Sequence, residues 1–282
     1  MKTPDCFEVL VQNGLVDEVV SRLMSGKEAD VYIVQSKGSL CCAKVYKEAR
    51  LRSFNNLAQY QEGRKGRNSR QARAIQKNTR YGRAETEEAW KNAEVTTLRM
   101  LAEAGVRVPK IYDYADGVLL MELVVDADGC VAPRLNDIRL SAEVAREYHR
   151  ELIRSIVVML CAGIIHGDLS EYNVLVGCDG LVIIDLPQAV NASVNNSAQS
   201  MLLRDVENVT NYFGRFAPEL LTTSYGKEIW KLYASGEITP ISVLTGVYAQ
   251  VESAADVKGV MQEINYERIS HERALARKSQ VS

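Results

Sequence analysis

From Leu15 to Lys47 the chain reads LVDEVVSRLMSGKEADVYIVQSKGSLCCAKVYK, alternating apolar with polar positions and favouring β-branched and aromatic residues. A period of two sends alternate side chains to opposite faces of a sheet, and turn residues punctuate the run at Ser25-Gly26 and Lys37-Gly38-Ser39. Three consecutive antiparallel strands are expected, after a short helix-like start. ETEEAWKNAEVTTLRMLAEAGV then sets Trp90, Ala93, Leu98, Leu101 and Ala102 at helical spacing and stops at Gly105. VRVPKIYDYADGVLLMELV predicts two short strands around Asp116-Gly117.

Beyond Ser141 the spacing becomes helical. SAEVAREYHRELIRSIVVMLCAGI offers Ser141 as N-cap, runs apolar through Ile153, Ile156, Val157 and Leu160, and ends at Gly163. NVLVGCDGLVIID predicts a hairpin with Asp179-Gly180 in its turn, and Ser200 to about Val260 predicts several helices. A strand-rich front and a helix-rich back define an α+β, two-lobed body. The expected organisation is a helical extension over 1–15, a sheet lobe over 16–124, a helical lobe over 125–260 and a frayed tail over 261–282.

Charge changes this picture at one place. The net charge is -2, yet eleven Lys or Arg fall between Lys47 and Arg83 against two acidic residues, Glu48 and Glu62. With Gly63, Gly66 and Gly82 interrupting it, the stretch of about 52–83 reads as a basic insertion in the first lobe, either a solvated loop or a contact for an anionic partner such as RNA or the ribosome. The chain of 282 residues, 46% hydrophobic, is long enough for a substantial core. Its six cysteines form no C-x-x-C pair, and with three histidines no zinc-like grouping arises. No stretch approaches the roughly 18 to 20 apolar residues of a membrane span, so the expectation is a soluble, cytoplasmic protein with reduced thiols.

The candidate chemistry lies in IIHGDLSEYNVLV. An isolated aspartate at a strand end is ordinarily a solvated cap, so order and spacing carry the signal. Asp168 and Asn173 are five apart, as in the phosphotransferase loop H-R-D-L-x-x-x-N, with Gly167 in place of the Arg; Asp185 follows at the end of the apolar run LVII. Phosphoryl transfer concentrates negative charge on oxygen, so it requires hard oxygen ligands for Mg²⁺ and a cation on the phosphates. Lys44 in CCAKVYK suits that cation, and Glu94 on the next helix is placed to pair with it. VLLMELV suits an adenine slot, with Met121 at the back, the Glu122 carbonyl as acceptor and the Val124 N–H as donor. SGKEADVY contains one glycine and is neither G-x-G-x-x-G nor a Walker loop; alone it reads as a hairpin turn.

In this order SGKEADVY, AKVYK, HGDLSEYNVLV, IIDLPQAV and LLRDVENVTNYF resemble the RIO family of atypical serine/threonine protein kinases, closest to its type-one branch, over about Val16 to Tyr233. The resemblance implies a small bilobal kinase fold that binds ATP with Mg²⁺ or Mn²⁺, phosphorylates itself and proteins, and in some members hydrolyses ATP. It assigns Asp168 as catalytic base, Asn173 and Asp185 as metal ligands, Lys44 to the phosphates, and Ser25 and Lys27 to a phosphate loop. Ordinary protein kinases carry a Lys where Ser170 stands and D-F-G where Asp185-Leu186-Pro187 stands. The APE at Ala217–Glu219 reads as coincidence, because helical spacing from Leu202 to Phe213 leaves no room for an activation segment.

Two alternatives stay open on the sequence. Small-molecule phosphotransferases of the aminoglycoside-kinase type also carry H-G-D, usually with a His soon after, where this chain has Ser170 and Glu171. A nucleic-acid or ribosome-associated module using nucleotide as a switch would draw on the basic segment instead.

Overall fold

The computed structural model describes residues 5–26, 29–47 and 93–248. The basic insertion, Lys27, Trp90 and the tail expected over 261–282 lie outside the described residues.

Helix α1 (Asp5–Gln12) leads into strands β1 (Glu18–Ser25), β2 (Ala29–Ser36) and β3 (Ser39–Tyr46), and helix α2 covers residues 93–103. Strands β4 (Ile111–Ala115) and β5 (Val118–Glu122) complete a five-stranded antiparallel sheet in the order β1-β2-β3-β5-β4. Two of its connections are two-residue turns whose residues have positive φ, Lys37-Gly38 (50° and 77°) and Asp116-Gly117 (49° and 75°). That geometry matches the strand twist and favours the Gly at the second place.

Alternation along β2 and β3 gives the sheet two buried faces. Tyr32, Val34, Cys41 and Ala43 point outward and pack with Phe7 and Leu10 of α1 in a core that Val118 and Leu120 complete. Phe7 meets Tyr32 edge to face, with ring centroids 5.2 Å apart. On the other face Tyr46 and Leu119 join Leu98 and Leu101 of α2 in the main core. Burial on both sides explains why Cys41, Cys42 and Ala43 run continuously apolar, while Leu40 before them is exposed. Within the helical extension expected over 1–15, α1 covers one sheet face.

The helical part is built on α3 (Ala142–Cys161), β6 (Ile164–Ile165), β7 (Val174–Gly177), β8 (Gly180–Ile183), β9 (Val190–Asn191), α4 (Ala198–Gly214) and α5 (Tyr225–Ala234). Ser141 caps α3, its Oγ accepting the Val144 N–H at 3.3 Å, and Gly163 with φ 76° follows its last turn. Leu152, Ile153, Ile156, Val157 and Leu160 on its inner face are buried, each contributing about 1.5–3 kcal/mol. α4 buries Leu202, Val206, Val209 and Phe213 at helical spacing and begins at Ala198, twelve residues after Leu186. Ala217 is buried and Glu219 pairs with Arg146 at 2.5 Å, so the APE residues close the turn after α4.

Two expectations are corrected. Gly177 pairs with Gly180, so the β7–β8 turn is Cys178-Asp179; Gly180, at φ 115°, opens β8. Residues 235–248 contain no helix, since Gly236, Pro240 and Gly246 break the helical spacing expected there. Among the described residues no helix is long and apolar enough to cross a membrane.

Candidate active site

Lys44 projects from β3 toward the helical part and sits between two carboxylates. Its Nζ donates to Glu94 Oε1 at 2.7 Å and to Asp185 Oδ1 at 3.0 Å. Lys44 and Glu94 are 8% and 2% exposed, too buried for either charge to stand without the other. Burial works against the ammonium, but Asp185 and Glu94 outweigh it and hold the Lys44 pKa well above its ordinary value. The second oxygen of Glu94 accepts from Tyr46 Oη at 2.7 Å, so both oxygens are engaged. Asp185 shows the reciprocal effect: crowding by protein pushes its carboxyl up, and Lys44 overrides this to leave the pKa lowered. Its backbone adopts φ 64°, a left-handed conformation that Asp tolerates better than most residues.

The loop from His166 to Asn173 is held from behind. Gly167 has φ 82°, which strains any side chain; this is the physical reason that a glycine stands where H-R-D loops have Arg. Its N–H donates to Asp205 Oδ2 at 2.8 Å and the Leu169 N–H donates to Asp205 Oδ1 at 3.0 Å. Arg204 Nη2 donates to the Gly167 carbonyl, and Asn208 Nδ2 reaches the Leu169 carbonyl at 3.1 Å. Three side chains of α4 therefore fix two consecutive odd positions of the loop. Burial pushes the Asp205 carboxyl up to about 6, against the pull of its neighbouring charges and two backbone N–H groups.

His166 accepts the Asp168 N–H at its Nδ1, 3.3 Å away, so its proton lies on Nε2, which donates to the Ile184 carbonyl at 3.1 Å. That ring joins the loop to the residue before Asp185. Asp168 itself is exposed; desolvation by its surroundings raises its pKa, with the Asp185 charge adding to the effect. Asn173 Nδ2 donates to the Asp168 carbonyl at 2.8 Å, and the Asn173 carbonyl accepts the Ile184 N–H at 3.0 Å. These bonds tie the positions of Asp168, Asn173 and Asp185 together.

A cleft of about 520 Å³ separates sheet and helical part, and Lys44, Glu94, Met121, Glu122, Val124, Asn173 and Asp185 all line it. Leu23, Val31, Val131, Leu175 and Ile184 give it apolar walls suited to a flat ring. The Val124 carbonyl accepts the Ala132 N–H at 3.0 Å, while among the described residues no acceptor takes the Val124 N–H. Val124 is 4% exposed, so that donor is a buried polar group in want of a partner. The Glu122 side chain is drawn aside by a bidentate bond from Arg107, at 2.6 and 2.8 Å. At the opposite end Met24 and Gly26 line the cleft, while Ser25 Oγ between them accepts from Lys47 Nζ at 3.2 Å.

The donor set suits a hard divalent cation. Among the described residues no hydrogen bond reaches Asn173 Oδ1 or Asp185 Oδ2, two oxygens at one cleft. Among the described residues no three His, Cys, Asp or Glu side chains converge as a metal cage, so a cation here would complete its shell with oxygens of water or a ligand.

Asp205, Arg204 and Arg107 are the residues that motif spacing alone does not single out. Asp205 had a signal: it stands at helical spacing between Leu202 and Val209, a charge on the buried face of an amphipathic helix.

An antiparallel sheet over a helical part, with a buried Lys–Glu pair and an Asp/Asn loop facing one cleft, defines a protein-kinase-like phosphotransferase. The RIO domain model matches residues 30–225. The chain is 35% identical over 212 residues to the RIO-type serine/threonine-protein kinase Rio1 of Haloferax volcanii, covering 73% of this chain and 67% of that protein. It is 30% identical over 226 residues to the RIO-type serine/threonine-protein kinase Rio1 of Methanocaldococcus jannaschii, covering 79% and 71%. With the serine/threonine-protein kinase rio1 of Schizosaccharomyces pombe it shares 28% over 212 residues, which is 73% of this chain and 40% of the yeast protein. The chain belongs to the RIO family, and with it to the serine/threonine kinases.

Proposed function

We propose that this chain transfers the γ-phosphate of ATP to serine or threonine hydroxyls of proteins, its own included, with some hydrolysis of ATP alongside. The observation that carries this reading is Lys44, held between Glu94 and Asp185 at the floor of the cleft. Lys44 stands ready to meet the α/β-phosphates, and Glu94 keeps it charged and aimed. The Val124 N–H and the Glu122 carbonyl would take the edge of adenine against Met121. Asp168 would accept the proton of the attacking hydroxyl, a role its raised pKa favours and its exposure permits. Asn173 and Asp185 would hold Mg²⁺ or Mn²⁺, which supplies charge neutralisation on the phosphates when bound. Ser25 and Lys27 belong to the proposed phosphate loop.

The relatives named above are protein kinases, which favours protein hydroxyls over antibiotics as acceptors. Free thiols at Cys41, Cys42, Cys130, Cys161 and Cys178 suit a reducing compartment and support a cytoplasmic setting. The charge of the 47–83 segment supports a contact with RNA or the ribosome, to be tested by salt-dependent RNA binding.

The test is labelled phosphate transfer from ATP by the full chain and by Asp168→Ala. Autophosphorylation is expected to disappear while nucleotide binding persists; an Asp168→Ala protein as active as the wild type overturns the assignment of the base.

A further inference from the structure

Arg134 is a cation of the cleft to which the reading above gives no task. It follows the short loop that folds back after β5, where Val125 bridges Val131, and it lines the cleft near Gly26, Asn173 and Asp185. Its backbone is fixed: it bridges Leu175 of β7, and its carbonyl accepts the Asp137 N–H at 2.9 Å. Its side chain reaches across the cleft to the sheet, where Nη2 donates to Met24 Sδ at 2.9 Å.

That is a poor partner for such a group. A guanidinium carries five N–H donors in a planar fork matched to pairs of oxygens, whereas a thioether is a weak acceptor. Among the described residues the guanidinium has no other hydrogen bond, although Arg134 is half-buried. Its location decides which part of a nucleotide it faces. Met24 immediately precedes Ser25-Gly26, where β1 ends, and the Arg134 charge is one of those acting on Asp185. Both place the fork at the phosphate end of the cleft.

Building on the nucleotide site proposed above, we infer that Arg134 is a phosphate-binding residue of this kinase, exchanging the Met24 sulfur for non-bridging oxygens of the nucleoside triphosphate. The Met24 sulfur is a weak acceptor that the fork leaves at little cost. The bound triphosphate then links the loop after β5 to the end of β1, and Arg134 makes the site discriminate triphosphate from nucleoside.

The experiment measures equilibrium binding of adenosine and of Mg²⁺·ATP to the full chain as wild type, Arg134→Met and Arg134→Lys. Arg134→Met is expected to weaken ATP about 10- to 100-fold, the range for losing a charge-assisted bond, with adenosine affinity unchanged. Arg134→Lys, which keeps the charge and loses the fork, is expected to recover part of the loss. An adenosine-to-ATP affinity ratio equal in wild type and Arg134→Met overturns the inference and leaves the kinase reading standing. Loss of adenosine binding in Arg134→Met also overturns it, by showing that Arg134 shapes the cleft itself. Wild type binding neither ligand removes the nucleotide site and the inference together.

Discussion

Asp205 accepts the backbone N–H of Gly167 at 2.8 Å from a position 38 residues further along the chain. The same carboxylate takes the Leu169 N–H, so one buried side chain brackets Asp168 on both sides. The loop proposed to carry the catalytic base is positioned by a helix that does not line the cleft.

Asp205→Ala leaves two buried backbone donors without acceptors, at about 1–3 kcal/mol each. The melting temperature is expected to fall, and turnover in phosphate transfer to drop by about tenfold or more as the loop loses its register. Asp205→Asn keeps one acceptor oxygen and is expected to recover part of both. Calorimetry and labelled-phosphate assays read the two effects separately.

Gly167→Arg restores the residue of ordinary kinase loops, and it is expected to damage this one. A side chain at φ 82° costs about 1–2 kcal/mol. A variant as stable and active as the wild type, by thermal melting and autophosphorylation, contradicts the backbone argument.

Lys44→Met strands the Glu94 carboxylate, 2% exposed, without its cation. A loss of about 3–5 kcal/mol in denaturant unfolding is expected, together with loss of phosphate transfer. Adding Glu94→Gln is expected to restore much of the stability and none of the transfer. A double variant that regains activity would show that Lys44 serves structure alone.

His149 is buried against Phe213 and Tyr225 with Nε2 3.1 Å from Thr210 Oγ1, and burial lowers its pKa from 6.5 to about 4. Between these values the unfolded chain binds a proton that the folded chain refuses, so stability falls as pH drops from 6.5 to about 4. The full effect is about 3 kcal/mol. Asp205, raised to about 6, titrates in the opposite sense over part of this window. The comparison is therefore between wild type and His149→Gln, whose unfolding free energies are expected to converge as the pH falls through this range.

Local chemistry carried the legible part of the fold. Lys37-Gly38 and Asp116-Gly117 announced hairpins because few dipeptides accept two positive φ values, and Ser141 and Gly163 marked the ends of α3. The hairpin at Cys178-Asp179 was displaced by one residue because Asp-Gly is the stronger turn signal, yet Gly180 takes its φ of 115° inside the strand. Spacing points to Lys44, Glu94, Asn173 and Asp185, and the structure brings them to one cleft. Asp205, Arg107 and Arg134 escape such spacing because their partners lie 38, 15 and 110 residues away. Such pairings are products of topology, and no local window contains them.

The outer core formed by Phe7, Leu10, Tyr32, Val34, Cys41 and Ala43 bears on where the functional unit starts. The RIO domain match begins at residue 30, inside β2 and beyond α1 and β1 altogether. A polypeptide trimmed to that boundary would display a wet, greasy sheet surface and lose the edge strand whose Leu23 and Met24 line the cleft. Such a truncation invites self-association through the bared strand. The folded unit therefore extends beyond its family signature, because Phe7 and Leu10 of α1 are buried in the same core as Tyr32 and Val34 of β2.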